Sequence, residues 1–149
     1  LPIRHWRIPP LDGAMNRFSI LVADDDEDCR EAIRTTLDRE GFEIHSASCG
    51  AEAIEIVRRR PRAIHASILD MHMPDLTGLE TLTALIRLVE RLPTIFVTAD
   101  RSKELLTKAM EAGAFTILHK PVSAGLIVVT VNMLLGKFYG EDGTGSRRT

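Results

Sequence analysis

At 149 residues the chain has room for one domain with one substantial core, and a second folded unit would have to be very small. With 44% hydrophobic and 27% charged residues and a formal net charge of -2, the composition excludes a disordered or fibrous chain and gives no electrostatic case for nucleic acid. The two cysteines, Cys29 and Cys49, lack metal-ligand spacing and are too few for a disulfide framework, which suits a reducing cytoplasmic setting; no apolar stretch reaches the roughly 18 residues of a membrane span.

The start, "LPIRHWRIPPLDGA", carries three prolines and the only Trp and has no apolar signal-peptide core, so residues 1–15 read as a leader or upstream extension. "FSILVA", Phe18 to Ala23, is a short continuous apolar run ending in acids, as a strand buried on both faces would be. From Glu27 to Glu40 the residues Cys29, Ile33, Thr36 and Leu37 recur at helical spacing, with Gly41 closing the helix. "FEIHSA" predicts a second strand and "GAEAIEIVRRR" a second helix stopped by Pro61. "AIHASILD" predicts a third strand, "LETLTALIRLVE" a third helix ending near Pro93, and "TIFVTA" a fourth strand. "SKELLTKAMEAG" is a helix with Ser102 at its N-cap and Gly113 at its C-terminal end, "AFTILHK" a fifth strand, and Ser123 to about Lys137 a last helix. The polar, Gly-rich residues 138–149 read as a flexible tail, which leaves 16–137 as the folded body.

Five strands alternating with five helices through short connections imply an α/β fold, a doubly wound five-stranded parallel sheet with helices on both faces. In such sheets function gathers at the carboxyl ends of the strands. Those ends read "ADDDED", Asp70, "VTAD" and "HKP", so one edge collects Asp24, Asp25, Asp70, Thr98 and Lys120. Carboxylates pressed together repel one another, and hard oxygen ligands favour Mg²⁺ or Mn²⁺. A hydroxyl and an ammonium facing them are what a phosphoryl group needs, and an aspartate can hold that group as an aspartyl phosphate.

The acidic pair Asp24-Asp25, "LDMHMPDLTGLE" around Asp70, Thr98-Ala99 and Lys120-Pro121, in this order, make residues 17–137 resemble the receiver domain of two-component response regulators. The resemblance implies the flavodoxin-like receiver fold and a phosphorylation-activated switch. Asp70 would be the phosphoacceptor, served by a histidine kinase or a histidine phosphotransfer protein. Asp25, Asp70 and the backbone carbonyl of His72 would bind Mg²⁺ directly, with Asp24 acting largely through water. Lys120 would pair with the phosphoryl oxygens, and Thr98 would move to hydrogen-bond one of them. Backbone N–H groups near Ala99 and Met71 would complete the cradle, Pro121 would follow a cis peptide bond, and Gly78 would allow a tight loop with positive φ. Such a chain would be no enzyme beyond its own phosphotransfer and dephosphorylation.

Asp26, Glu27 and Asp28 read as solvated acids favoured by the dipole of the first helix rather than as ligands. His5, His45, His65 and His119 are scattered and read as surface or strand-face residues. His72, two residues past the phosphoacceptor, and Asp100, two past Thr98, are expected to approach each other over the site and to make phosphoryl lifetime depend on pH. Two features depart from the family pattern. Ile117 stands where receivers commonly carry an aromatic switch residue. In the last helix Ile127, Val131, Leu134 and Leu135 fill an inward stripe while Leu126, Val129 and Met133 fall opposite, which implies a covering partner: another copy through the face of the fourth helix, fifth strand and fifth helix, a downstream target, or tails that include Trp6 and Phe138. The competing readings are a pseudo-receiver binding module, a receiver fragment of a regulator with an output domain, a haloacid-dehalogenase-type phosphatase and a flavodoxin-like carrier. The phosphatase pattern wants an Asp where His72 stands, and "DDDED" would repel a flavin phosphate.

Overall fold

The structure is a computed structural model that describes residues 17–140. In chain order the elements are β1 (Ser19–Ala23), α1 (Glu27–Arg39), β2 (Glu43–Ala47), α2 (Gly50–Arg59), a 3₁₀ turn (Pro61–Ala63), β3 (Ala66–Asp70), α3 (Gly78–Leu88), β4 (Thr94–Thr98), α4 (Lys103–Glu111), β5 (Thr116–His119) and α5 (Ala124–Tyr139). The strands form one parallel sheet in the order β2-β1-β3-β4-β5. The order reverses between β1 and β3, and the crevice at such a reversal is where doubly wound sheets hold their ligands.

Strand alternation divides the core in two. Ile20, Val22, Ile68, Ile95 and Val97 point to the α1 and α5 side, where Ile33, Leu37, Ile127, Val131, Leu134 and Leu135 meet them. Leu21, Ala23, Leu69 and Phe96 point to the other side and pack with Ala53, Val57, Leu82, Leu85 and Ala109. The central strands β1, β3 and β4 are buried along their whole length, as the continuous apolar runs predict. Gly41 and Gly113, just past α1 and α4, have φ of 95° and 96°, the left-handed conformation that closes a helix.

Four expectations need correction. Pro61 starts a 3₁₀ turn, so β3 begins only at Ala66 and His65 lies outside it. His65 is no surface residue: its Nδ1 accepts the Ser19 N–H at 2.9 Å, and its ring stands edge-on to Phe18 and Tyr139. The last helix runs to Tyr139, two residues past the expected boundary, because Phe138 packs on Phe115 and the Tyr139 hydroxyl donates to the His65 carbonyl at 2.7 Å. Gly78 has no positive φ; it is needed because a Cβ there would lie 2.6 Å from the Asp70 carbonyl oxygen and 3.0 Å from Met71 Cα. Trp6, His5 and the leader lie outside the described residues.

Candidate functional site

Asp24 leaves β1 with its N–H bonded to the Ala47 carbonyl at 3.1 Å, which turns its side chain into the crevice at 2% exposure. Its Oδ1 accepts the Asp26 N–H at 2.9 Å and its carbonyl accepts Arg30 Nη1 at 2.6 Å. Asp26 caps α1 through the N–H groups of Asp28 and Cys29, so the acids after Asp25 serve the helix, as expected. Asp25 stays exposed at the rim, while Asp70, at the end of β3, is 5% exposed. Lys120 arrives from β5 with its N–H on the Thr98 carbonyl at 2.9 Å and a cis bond to Pro121. Its ammonium lies 3.0 Å from Asp24 Oδ2 and 3.5 Å from Asp70 Oδ2. The lysine therefore leans toward Asp24 rather than toward Asp70.

Asp24, Asp25 and Asp70 each offer a carboxylate oxygen, and these oxygens lie within 4.8 Å of one another. Burial, reinforced by the hydrogen bond and charge of Asp24 and only partly opposed by Lys120, pushes the Asp70 carboxyl up to about 7. Burial alone would lower Lys120, but Asp24 and Asp70 outweigh it and hold the ammonium above its usual range. Asp24 Oδ2, although near the lysine, is buried without a well-directed hydrogen bond. An all-oxygen donor set, an underprovided buried carboxylate oxygen and surplus negative charge fit a hard divalent cation such as Mg²⁺ or Mn²⁺. The Cys29 thiol beside Asp24 is pushed up to about 12 by burial first and Asp24 second, so it stays protonated and inert.

The rest of the expected constellation surrounds this crevice. Thr98 is buried at the end of β4 and its hydroxyl accepts the Asp100 N–H at 3.0 Å. Ala99 beside it is exposed. His72 and Asp100 do meet across the mouth, with Nε2 to Oδ2 at 3.3 Å. Ile117 is half-buried and packs into the cluster beneath α2, α3 and α4. The Met71 N–H is not available to a phosphoryl group, because it continues the sheet to the Val97 carbonyl at 3.1 Å; the His72 N–H faces Asp70 Oδ1 at 3.4 Å instead. Sequence reasoning missed Arg30, which grips the Asp24 carbonyl one turn into α1, and Asp75, which bonds the start of α2. An acid directly after Pro74 in a loop near a helix start was the available signal for Asp75.

This combination of fold and acidic crevice defines a class of phosphoacceptor module, and comparison with known proteins names it. The chain belongs to the response regulator receiver domain family, whose model matches residues 20–132. It is 34% identical over 127 residues to the response regulator MprA of Mycolicibacterium vanbaalenii, covering 85% of this chain and 54% of that protein. The transcriptional regulatory protein SrrA of Staphylococcus aureus is also 34% identical, over 116 residues that cover 78% of this chain and 47% of SrrA. The chain thus spans about half the length of the curated relatives it matches. Among solved structures, the chemotaxis protein CheY4 of Vibrio cholerae superposes with a TM-score of 0.75 at 26% identity, covering 80% of this chain and 99% of that one.

Proposed function

We propose that this receiver domain accepts a phosphoryl group on Asp70 from a phosphohistidine of a histidine kinase or histidine phosphotransfer protein, and that the modified domain changes its binding partners. The observation that carries the reading is a buried aspartate, pushed up to about 7, held with two further acids and a lysine at the reversal point of the sheet. An Asp70 carboxylate oxygen attacks phosphorus; the new O–P bond forms as the P–N bond breaks, and the histidine nitrogen keeps the electron pair of that bond. Asp24, Asp25, Asp70 and the His72 carbonyl would hold Mg²⁺, which supplies positive charge against the phosphoryl oxygens when bound. Lys120, 3.5 Å from Asp70, would pair with those oxygens, and the Thr98 hydroxyl, which accepts the Asp100 N–H, would donate to one of them. His72 and Asp100 would restrict the approach of water to the acyl phosphate, as a bridge across the mouth. On this reading the chain catalyses nothing beyond its own phosphotransfer and dephosphorylation, and it works in the cytoplasm. Among the described residues no helix is long and apolar enough to cross a membrane.

The test is the intact mass after incubation with acetyl phosphate, with and without Mg²⁺, for the parent and Asp70→Asn. One Mg²⁺-dependent phosphoryl adduct is expected in the parent and none in the variant. A folded parent that acquires no adduct from acetyl phosphate or from a phosphohistidine donor would instead be a pseudo-receiver, a binding module without phosphotransfer. The relatives' greater length favours one further reading of the output: the switch acts on an output domain of a longer regulator rather than on a separate chain.

A further inference from the structure

The loop between β3 and α3 carries His72, and its two ends are fixed locally. Met71 is tied to β4 through the Val97 carbonyl, and Gly78 N–H returns to the Met71 carbonyl at 2.8 Å. Thr77 and Glu80 form a reciprocal capping box at the start of α3, with bonds of 2.9 and 3.0 Å. The middle of the loop has a different anchor. Asp75 Oδ1 accepts the Gly50 N–H at 3.0 Å and Oδ2 accepts the Ala51 N–H at 2.8 Å. Helix α2 has Cys49 at its N-cap and no side-chain cap of its own, so a residue 25 positions away caps it in trans. The two parts are also pressed together directly: a Cβ at Gly50 would lie 2.5 Å from Thr81 Oγ1 and 2.9 Å from Leu76 Cβ.

We infer that Asp75 is a positioning residue for the cation site: its two bonds to α2 clamp the middle of the loop and hold the segment bearing His72 against the Asp24, Asp25 and Asp70 cluster. The inference rests on the reading of that cluster as a cation site. Backbone N–H groups of Ala51 first and Gly50 next hold the Asp75 carboxyl down to about 2, so the clamp keeps its full charge across the working pH range. Without it the chain from His72 to Leu76 keeps the buried Met73 and the His72–Asp100 contact but loses its hydrogen bonds to α2, and part of its ordering falls to the cation itself, which weakens cation binding.

The experiment measures Mn²⁺ affinity by electron paramagnetic resonance on the full chain, for the parent, Asp75→Ala, Asp75→Asn and the double variant Asp75→Ala/Cys49→Ser. Asp75→Ala is expected to weaken Mn²⁺ binding by roughly tenfold, the lower end of what outer partners of a metal site contribute. Asp75→Asn keeps one acceptor oxygen and falls between the two. In the metal-free protein the Gly50 and Ala51 amides exchange faster in Asp75→Ala by roughly tenfold. A serine at position 49 gives α2 a local cap, so the double variant recovers most of a Tm loss of about 4 °C without recovering Mn²⁺ affinity. Parent-like affinity in Asp75→Ala, or recovery of affinity along with Tm in the double variant, would show that Asp75 only stabilises α2 and would overturn the inference. A parent that binds no Mn²⁺ would overturn the cation reading beneath it, a result visible before any variant is made.

Discussion

Asp70 is held in a place that disfavours its own charge. Burial and the neighbouring Asp24 raise its carboxyl, and the only close cation among the described residues, Lys120, lies nearer to Asp24. The free protein therefore carries repulsion that a bound divalent cation would remove, which would link cation binding to stability. Asp70→Asn removes one of the repelling charges and keeps nearly the same shape. The variant is expected to be more stable than the parent by about 1 kcal/mol without Mg²⁺, a size suited to a partly screened carboxylate pair. The parent gains about 2.7 kcal/mol at Mg²⁺ a hundredfold above its dissociation constant, whereas the variant, short of one ligand, gains far less. Urea unfolding with and without Mg²⁺ measures both effects, and a variant that responds to Mg²⁺ as the parent does would place the cation elsewhere.

At the scale of elements, α5 is locked at its C-terminal end by a small aromatic cluster far from the acidic crevice. Tyr139 donates to the His65 carbonyl at 2.7 Å, and His65 Nδ1 in turn accepts from Ser19 at the start of β1. Burial holds the His65 imidazole below its ordinary value of 6.5, against the opposing charge of Glu43. A depressed folded value means that the neutral ring's contribution is complete above about pH 6.5 and is lost as pH falls through the folded value. Protonated Nδ1 would set an N–H against the Ser19 N–H. His65→Asn offers an oxygen where Nδ1 accepts, so its urea midpoint should fall less than the parent's between about pH 7 and 5. His65→Leu should cost about 1–2 kcal/mol at every pH, because the Ser19 N–H is left without a partner. The order and type of these elements were legible because the apolar period changes at each boundary, and the inward stripe Ile127, Val131, Leu134 and Leu135 is buried as its spacing implied. Asp24, Asp70 and Lys120 were legible for a topological reason: a parallel sheet sends every strand end to one edge. The Asp75 clamp, the His65 acceptor bond and the Arg30 grip were not read. The first two join residues far apart in sequence, and the third is a side chain turning back on a strand end, so no periodicity marks them. Gly78 was read for the wrong property, since a close approach to Asp70 leaves the same glycine in a sequence as a positive φ does.

The whole molecule has two surfaces of opposite character. The acidic mouth lies at the carboxyl edge of the sheet. On the flank away from the core α5 exposes Leu126, Val129 and Met133, with Val129 54% and Met133 59% exposed, and α4 separately exposes Leu106 and Met110. Helix α5 has no charged residue before Lys137, so nothing on its outer stripe resists desolvation. Burying side chains of this size contributes roughly 1.5–3 kcal/mol each, enough for a few of them to hold a partner. The stripe points away from the core, so Val129→Glu/Met133→Glu should change folding stability by no more than about 0.5 kcal/mol. It should take up the phosphoryl group from acetyl phosphate at the parent's rate, because neither position belongs to the crevice. The phosphorylated parent is expected to sediment as a dimer through this flank and the double variant as a monomer, since burying four carboxylates of like charge at a two-fold contact is strongly unfavourable. A parent that stays monomeric in both phosphorylation states would assign the flank to a different chain, and the same double variant would then be the one that fails to bind that target.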